Sequence, residues 1–423
     1  MDQPPSVVLV VVDGLRPDHL GFYGYGRRTS PWLDGQARRG VVCTQAVSQS
    51  NWTFPSFCSL LTGQDPARSG LFHIDARISP AQVPLAEALR QAGWRTAAFV
   101  GGTYLDAQFG LDRGFETYRA GKNMSFRDFK DVLPLACDWL ERRRGERFFL
   151  LLHDNDLHPP FDIADALPEA VGHAFGRGGP LDALMPDYYF VRAYNRYPWE
   201  SFWGPPPPPE YLARVEAIRS DPHELEHIIA HYDGQILAAD RFLRRLWERL
   251  EALGRLQDTV VVLTSDHGME WGERGLIATA FHEALWDTLV RVPLVFWHPS
   301  LRPGTMSAGA ELIDLAPTVM DLLGLPSPGS FQGRSLAPLL RAPDAERAED
   351  DRPAFSAAST LQVRRSLRLF SLRTSRWKLI YEAERDHARL FDLREDPREL
   401  RDVSARQADV ARAMLETLRR RAG

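Results

Sequence analysis

Short apolar runs alternate along the chain with stretches of helical spacing. Residues 7–12 form an almost wholly β-branched run that stops at Asp13-Gly14. Comparable runs cover 96–100, 148–153, 259–265 and 292–297, and the amphipathic segments 83–92, 131–144 and 224–253 lie among them. Continuous apolar strands are buried on both faces, and helices between them supply the cover. The pattern predicts an α/β sandwich with a mainly parallel central sheet. Most of these strands end on polar residues: Asp13, His153-Asp154 and Asp266-His267. Ligands of such sheets sit beyond the carboxyl ends of the strands, so one edge is the expected site.

Two stretches break the rhythm. Residues 159–222 hold tyrosine-rich patches at 187–190 and 194–197 and five consecutive prolines at 205–209. Such a proline run fits neither a helix interior nor a central strand. The stretch reads either as a surface excursion or as an aromatic lid over the site. Residues 342–352 are charged and read as a linker. They divide a catalytic domain, 1–345, from a C-terminal subdomain, 353–423. There, short strands at 367–372, 377–381 and 390–392 and a final helix at 405–421 predict a small antiparallel sheet. About 70 residues bury too little core to fold alone.

Composition narrows the function. Of 423 residues, 44% are hydrophobic and 25% charged, ordinary for a folded chain. The net charge of −5 suggests no nucleic-acid surface. Cys43, Cys58 and Cys137 are too few for a disulfide framework. The run at 7–12 is far shorter than the ~20 residues of a membrane span and lacks the flanks of a signal peptide. A soluble, cytoplasmic protein is the expectation. The sequence assigns no oligomeric state.

Three constellations carry chemistry. In the segment from Asn51 to Gly63, Thr53 precedes Pro55-Ser56 and an apolar helical run. Pro55 fits a first helical turn and Thr53 an N-cap, where free N–H groups stabilise an anion. Taken alone, Thr53 reads more simply as a cap. Ser265-Asp266-His267-Gly268 places a carboxylate and an imidazole at a strand end, and Asp13 can add a second carboxylate. Mixed oxygen and nitrogen donors suit Zn²⁺ or Mn²⁺ better than Ca²⁺. The third cluster runs from His153 through Asp154 to His158, and His282 lies between the Asp-His site and the last strand.

In this order the motifs resemble the sulfatase family of the alkaline phosphatase superfamily. Residues 10–21 resemble its first metal-binding strand, Thr53–Gly63 its nucleophile segment, Ser265–Gly268 its second metal-binding strand, and Arg291–Leu294 the strand that follows. Residues 373–381 and 390–397 resemble its C-terminal subdomain, so the likeness spans nearly the whole chain. It implies a sulfatase-like sandwich with a small C-terminal antiparallel subdomain. It also implies a metal held by Asp13, Thr53, Asp266 and His267, with His158 and His282 as catalytic groups and Asn51 and Tyr104 near the substrate.

The departures direct the chemistry. The family matures a Cys or Ser to formylglycine within a Cys/Ser-x-Pro-x-Arg pattern. Here Thr53 stands at the nucleophile position and Phe57 at the Arg position, and Cys58 is out of register. No formylglycine is expected. Gly14 replaces the second Asp of the usual pair, and His267 stands where many sulfatases carry Asn. Both changes remove oxygen from the site and favour one Zn²⁺ or Mn²⁺. A second ion held by Asp154, His158 and His282 is the alternative, from the Asp-x-x-x-His spacing of two-zinc phosphodiesterases.

Thr53 turns the expectation towards phosphorus. Formylglycine hydrate expels sulfate by collapse of a hemiacetal, a route closed to a threonine ester. A threonine phosphate can be attacked by water at phosphorus. The expected activity is hydrolysis of small phosphoric or phosphonic esters, phosphodiesters among them, through a covalent Thr53 intermediate. Transfer to another acceptor, tailoring of specialised metabolites, sulfate-ester hydrolysis and a catalytically silent binding protein are the alternatives. The retained polar set counts against the last.

Overall fold

A computed structural model describes residues 4–73, 75–120, 129–158, 208–277, 284–343, 351–359 and 368–422. The earliest strands are β1 (Ser6–Val12), β2 (Val41–Cys43), β3 (Ala46–Val47), β4 (Arg95–Phe99), β5 (Thr117–Arg119) and β6 (Phe148–Asp154). β7 (Thr259–Thr264), β8 (Leu294–Trp297), β9 (Gly304–Met306) and β10 (Ala310–Glu311) follow, then β11 (Ala354–Ser359), β12 (Arg368–Arg373), β13 (Trp377–Glu382) and β14 (His387–Asp392). Eight of them build the central sheet in the order β5-β4-β6-β1-β7-β8-β2-β9. Pairing is parallel except at β8, which runs antiparallel to both β7 and β2. The expected strand at 292–297 is therefore present but reversed in direction.

β1 shows why the apolar runs are continuous. Val7, Leu9 and Val11 enter the core on one face of the sheet, and Val8, Val10 and Val12 enter the core on the other. The first face is covered by the buried helices Thr53–Thr62 and Leu315–Leu322, and the second by Phe129–Arg142 and Pro222–Ala252. Burying the β-branched side chains on both faces stabilises each by ~1.5–3 kcal/mol against exposure. β6 follows the same alternation, with Phe149 and Leu151 on the first face and Leu150 and Leu152 on the second.

The register aligns the strand ends. Val11 pairs with His153 on β6 and with Thr264 on β7. Asp13, His153 and Asp266 therefore emerge side by side.

β11–β14 form a four-stranded antiparallel sheet, with the helix Ala408–Ala422 against it. β11 is an edge that the apolar pattern does not mark. It reaches the catalytic part directly: Ala357 N donates to Gln49 O at 2.8 Å and Ser356 Oγ to Ser48 O at 2.6 Å. The wholly buried Lys378 ammonium lies 2.8 Å from Asp287 and 3.2 Å from Glu399, and Arg373 holds Asp287 at 2.9 Å. Burial raises the Asp287 carboxyl, but Arg373 and Lys378 outweigh it and hold it well below the usual range.

Of the atypical stretch, residues 159–207 lie outside the described part. Its end is helical: Pro209 opens the helix Pro209–Arg219 at the first position, where a missing N–H costs nothing.

Candidate functional site

The helix Thr53–Thr62 is buried throughout and ends its approach at the carboxyl edge of the sheet. It is pinned there by Ser56, whose Oγ donates to Asp266 O at 2.6 Å. Trp52, extended at φ −153°, is the N-cap, and Thr53 is the first helical residue. This corrects the expectation that Thr53 caps the helix. Its hydroxyl instead faces the buried strand ends: Oγ1 lies 3.4 Å from Asp13 Oδ2 and 3.4 Å from His267 Nε2.

Asp13, Asp266 and His267 come together as a buried cluster whose ligand atoms lie within 4.8 Å of one another. His267 Nε2 is 3.3 Å from Asp13 Oδ1 and 3.5 Å from Asp266 Oδ2. Its Nδ1 faces Gly268 O at 2.9 Å. A carbonyl only accepts, so Nδ1 carries the proton and Nε2 offers a lone pair to the cluster. Asp266 Oδ1 accepts from Gly14 N at 3.4 Å and from His267 N at 3.0 Å, which aims Oδ2 at the same point.

The buried groups shift one another strongly. Burial raises the Asp13 carboxyl, but His267 and His153 overcome it and hold it well below the ordinary range. Asp266 is pushed up by burial and by the charge of Asp13. Burial disfavours the charged His267 ring, yet Asp266 and Asp13 raise it above the ordinary value. Asp13 Oδ1 and Asp266 Oδ2 are buried and have no hydrogen-bond partner. Two unpartnered buried carboxylate oxygens beside an imidazole lone pair fit a divalent cation, and the nitrogen in the set suits a transition metal.

Gly14 stands where a second carboxylate would enter. Its φ is +70°, and a Cβ there would stand 2.3 Å from Met269 Cε. The left-handed backbone strains any side chain at this position, and an aspartate would also have to displace the Met269 methyl.

The other expected residues are placed as follows. Asn51 is buried and donates from Nδ2 to Ala284 O at 2.9 Å. Tyr104 packs edge-on against Trp52 at 5.6 Å, next to Thr53. His158 is half-buried, and its charge helps to lower Asp13. Asp154 is not brought to the cluster: its Oδ1 accepts from Phe129 N at 3.2 Å and from Asp156 N at 3.0 Å, on the other face of the sheet. His282 lies outside the described residues, so the second-metal set is not assembled among them. Cys58 is buried in the helix interior, and burial pushes its thiol well up.

The sequence names His153 within a strand-end cluster but gives it no role. His153 is wholly buried, with Nε2 3.6 Å from Asp13 Oδ2. It shares the strand end with Asp154, and strand alternation sends the two to opposite faces.

Comparison with known proteins agrees with this geometry. Residues 5–325 match the sulfatase family, and residues 272–422 match "N-sulphoglucosamine sulphohydrolase, C-terminal". An ulvan-active sulfatase of Formosa agariphila is 26% identical over 367 residues, covering 82% of this chain and 67% of its own. A solved complex with the substrate D-glucosamine-2-N,6-O-disulfate superposes with a TM-score of 0.78 at 20% identity, covering 99% of this chain and 98% of that one. The phosphonate monoester hydrolase of Agrobacterium radiobacter superposes with a TM-score of 0.75 at 20% identity, covering 99% and 96%. At such identities the two structures establish the fold alone. The family match across most of the chain, over a cluster of this composition, makes the chain a member of the sulfatase family, a hydrolase acting on ester bonds.

Proposed function

We propose that the protein hydrolyses small phosphoric or phosphonic esters through a covalent ester on Thr53. The observation that carries the reading is the Thr53 hydroxyl, turned away from capping and set 3.4 Å from Asp13 Oδ2 and 3.4 Å from His267 Nε2. Asp13, Asp266, His267 and Thr53 would hold a Zn²⁺ or Mn²⁺ ion. Such an ion supplies a Lewis acid that favours the ionised hydroxyl and polarises the ester.

The chain's own groups supply the rest. Thr53 Oγ1 attacks phosphorus, so an Oγ–P bond forms and the bond to the leaving oxygen breaks. His158, with His282 as the other candidate, gives a proton to that oxygen. Water then attacks the same phosphorus, the Oγ–P bond breaks, and the hydroxyl is restored. Asn51 and Tyr104 are the substrate-contact candidates in this reading. A threonine sulfate lacks the hemiacetal collapse that releases sulfate from formylglycine, which is why phosphorus is preferred.

Sulfate-ester hydrolysis is the second reading, favoured by relatives such as the ulvan-active sulfatase. Protein loaded with zinc or manganese is tested with an aryl phosphonate, a phosphodiester and an aryl sulfate, and quenched during turnover. Mass spectrometry of the Thr53 peptide should show the transferred phosphorus group. Turnover of the sulfate alone, with Thr53 unmodified throughout, would overturn the reading.

A further inference from the structure

Two buried hydroxyls clamp the turn that follows Asp13. Tyr232 belongs to the helix Pro222–Ala252, and its Oη donates to Gly14 O at 2.8 Å and accepts from Arg16 N at 2.9 Å. Ser265 follows β7 and precedes Asp266. Its Oγ accepts from Leu15 N at 3.0 Å and donates to His267 O at 2.6 Å. Both side chains are wholly buried. A hydroxyl has one proton to give and lone pairs to receive, and each of these spends both capacities on backbone groups. Gly14, Leu15 and Arg16 thus each have a backbone group satisfied by a side chain from far along the chain.

These contacts join the segments that carry the candidate ligands. Asp13 enters the turn from β1, with its own N–H on Asp154 O at 2.9 Å. Gly14, at φ +70°, presents its N–H to Asp266 Oδ1 at 3.4 Å. The bond that closes the turn on itself, Leu15 N to Val12 O, is long at 3.3 Å, so its shape depends on the two hydroxyls. Ser265 ties the turn to the strand end that bears Asp266 and His267. Tyr232 ties it to a helix on the second face of the sheet. The tyrosine ring is itself held, with Trp271 packed on it at 4.8 Å and His19 edge-on at 5.0 Å.

We infer that Tyr232 and Ser265 are positioning residues for the ion site, their hydroxyls setting the Asp13 carboxylate against Asp266 and His267. The inference rests on the metal reading of that cluster. Neither residue touches the ion or the substrate. Both act through the Gly14 turn, and groups that orient ligands from behind are worth roughly 10- to 100-fold in metal affinity.

The test reads the geometry of the site rather than turnover. Full-length protein is stripped of metal and loaded with cobalt(II), whose visible absorption reports ligand geometry, or with zinc against a competing chelator. Tyr232→Phe and Ser265→Ala each delete one hydroxyl. Each should weaken zinc binding roughly 10-fold or more and shift the cobalt bands of protein that is folded by circular dichroism. If one variant fails to fold, the other carries the test. Asp240→Asn perturbs the same helix where it holds Trp32 N and Leu33 N, far along from the turn in sequence, and should leave both readouts at wild type. Wild-type zinc affinity and cobalt bands in a folded hydroxyl variant, or equal changes in Asp240→Asn, would overturn the inference and leave the metal site standing. Absence of cobalt binding, or binding untouched by Asp266→Asn, would instead sink the metal reading of the cluster, and this inference with it.

Discussion

Replacing Thr53 with alanine separates its chemical role from its structural one, and the structure sets the size of each. The hydroxyl does not cap its helix, so no cap energy is at stake. Its two contacts, both 3.4 Å, exceed ordinary hydrogen-bond lengths and contribute little. Deleting the buried methyl costs ~0.8 kcal/mol. The better helix propensity of alanine returns up to ~0.7 kcal/mol at a helical position. Urea denaturation of Thr53→Ala should therefore stay within about 1 kcal/mol of the wild type. Turnover should behave otherwise. Loss of a covalent nucleophile lowers kcat/KM by ~10⁴ or more, about 5 kcal/mol of transition-state stabilisation at 1.36 kcal/mol per decade. Thr53→Ser should retain part of the activity, because it keeps the oxygen but frees the χ1 rotation that the β-branch restrains. The assay is kcat/KM on an aryl phosphonate, beside circular dichroism to verify the fold. Wild-type rates in Thr53→Ala on every phosphorus and sulfate ester would refute the nucleophile.

Three further outcomes follow from the buried charges. Asp266→Asn removes the carboxylate whose Oδ2 completes the cluster, so zinc or manganese content measured by elemental analysis should fall well below that of the wild type; unchanged content would contradict the site. Lys378→Met leaves Asp287 and Glu399 buried without the ammonium between them, and denaturation should show a loss of about 3 kcal/mol. Asp240, which accepts from Trp32 N and Leu33 N, is pushed up to about 6 by burial. The folded state then holds an extra proton between pH ~4 and 6, so stability from this group falls as pH rises through about 6. Between pH 5 and pH 7 the wild type should lose ~1 kcal/mol relative to Asp240→Asn, and parallel pH profiles of the two proteins would count against the shift.

The parts of the fold visible in the sequence are those where burial repeats over many residues. β1, β6 and β7 are long apolar runs buried on both faces, and the helix Pro222–Ala252 keeps one apolar face for many turns, so each leaves a periodic trace. β2, β9 and β10 are two or three residues long, and no periodicity survives in so short a window. The direction of β8 is equally silent, because an apolar run reads the same whether its neighbour is parallel or antiparallel. β11 is small and mixed, Ala-Phe-Ser-Ala-Ala-Ser, and its place comes from hydrogen bonds to Ser48 and Gln49 across the chain.

The site divides along the same line. Asp13, Asp266 and His267 are legible because each ends a long strand, and a strand end at a sheet's carboxyl edge is itself a position. His153 and Asp154 also end a strand, but neighbours on a strand face opposite ways, and composition cannot say which of them faces Asp13. The pairing of Val11 with His153 decides it. A one-residue slip of β6 against β1 would exchange the two, bringing a carboxylate to the cluster and sending the imidazole to the face covered by Phe129. The chemistry of the edge is therefore set by register as much as by residue type. An imidazole in that position, 3.6 Å from Asp13 Oδ2, gives the first carboxylate of the cluster a neighbour that its motifs do not announce.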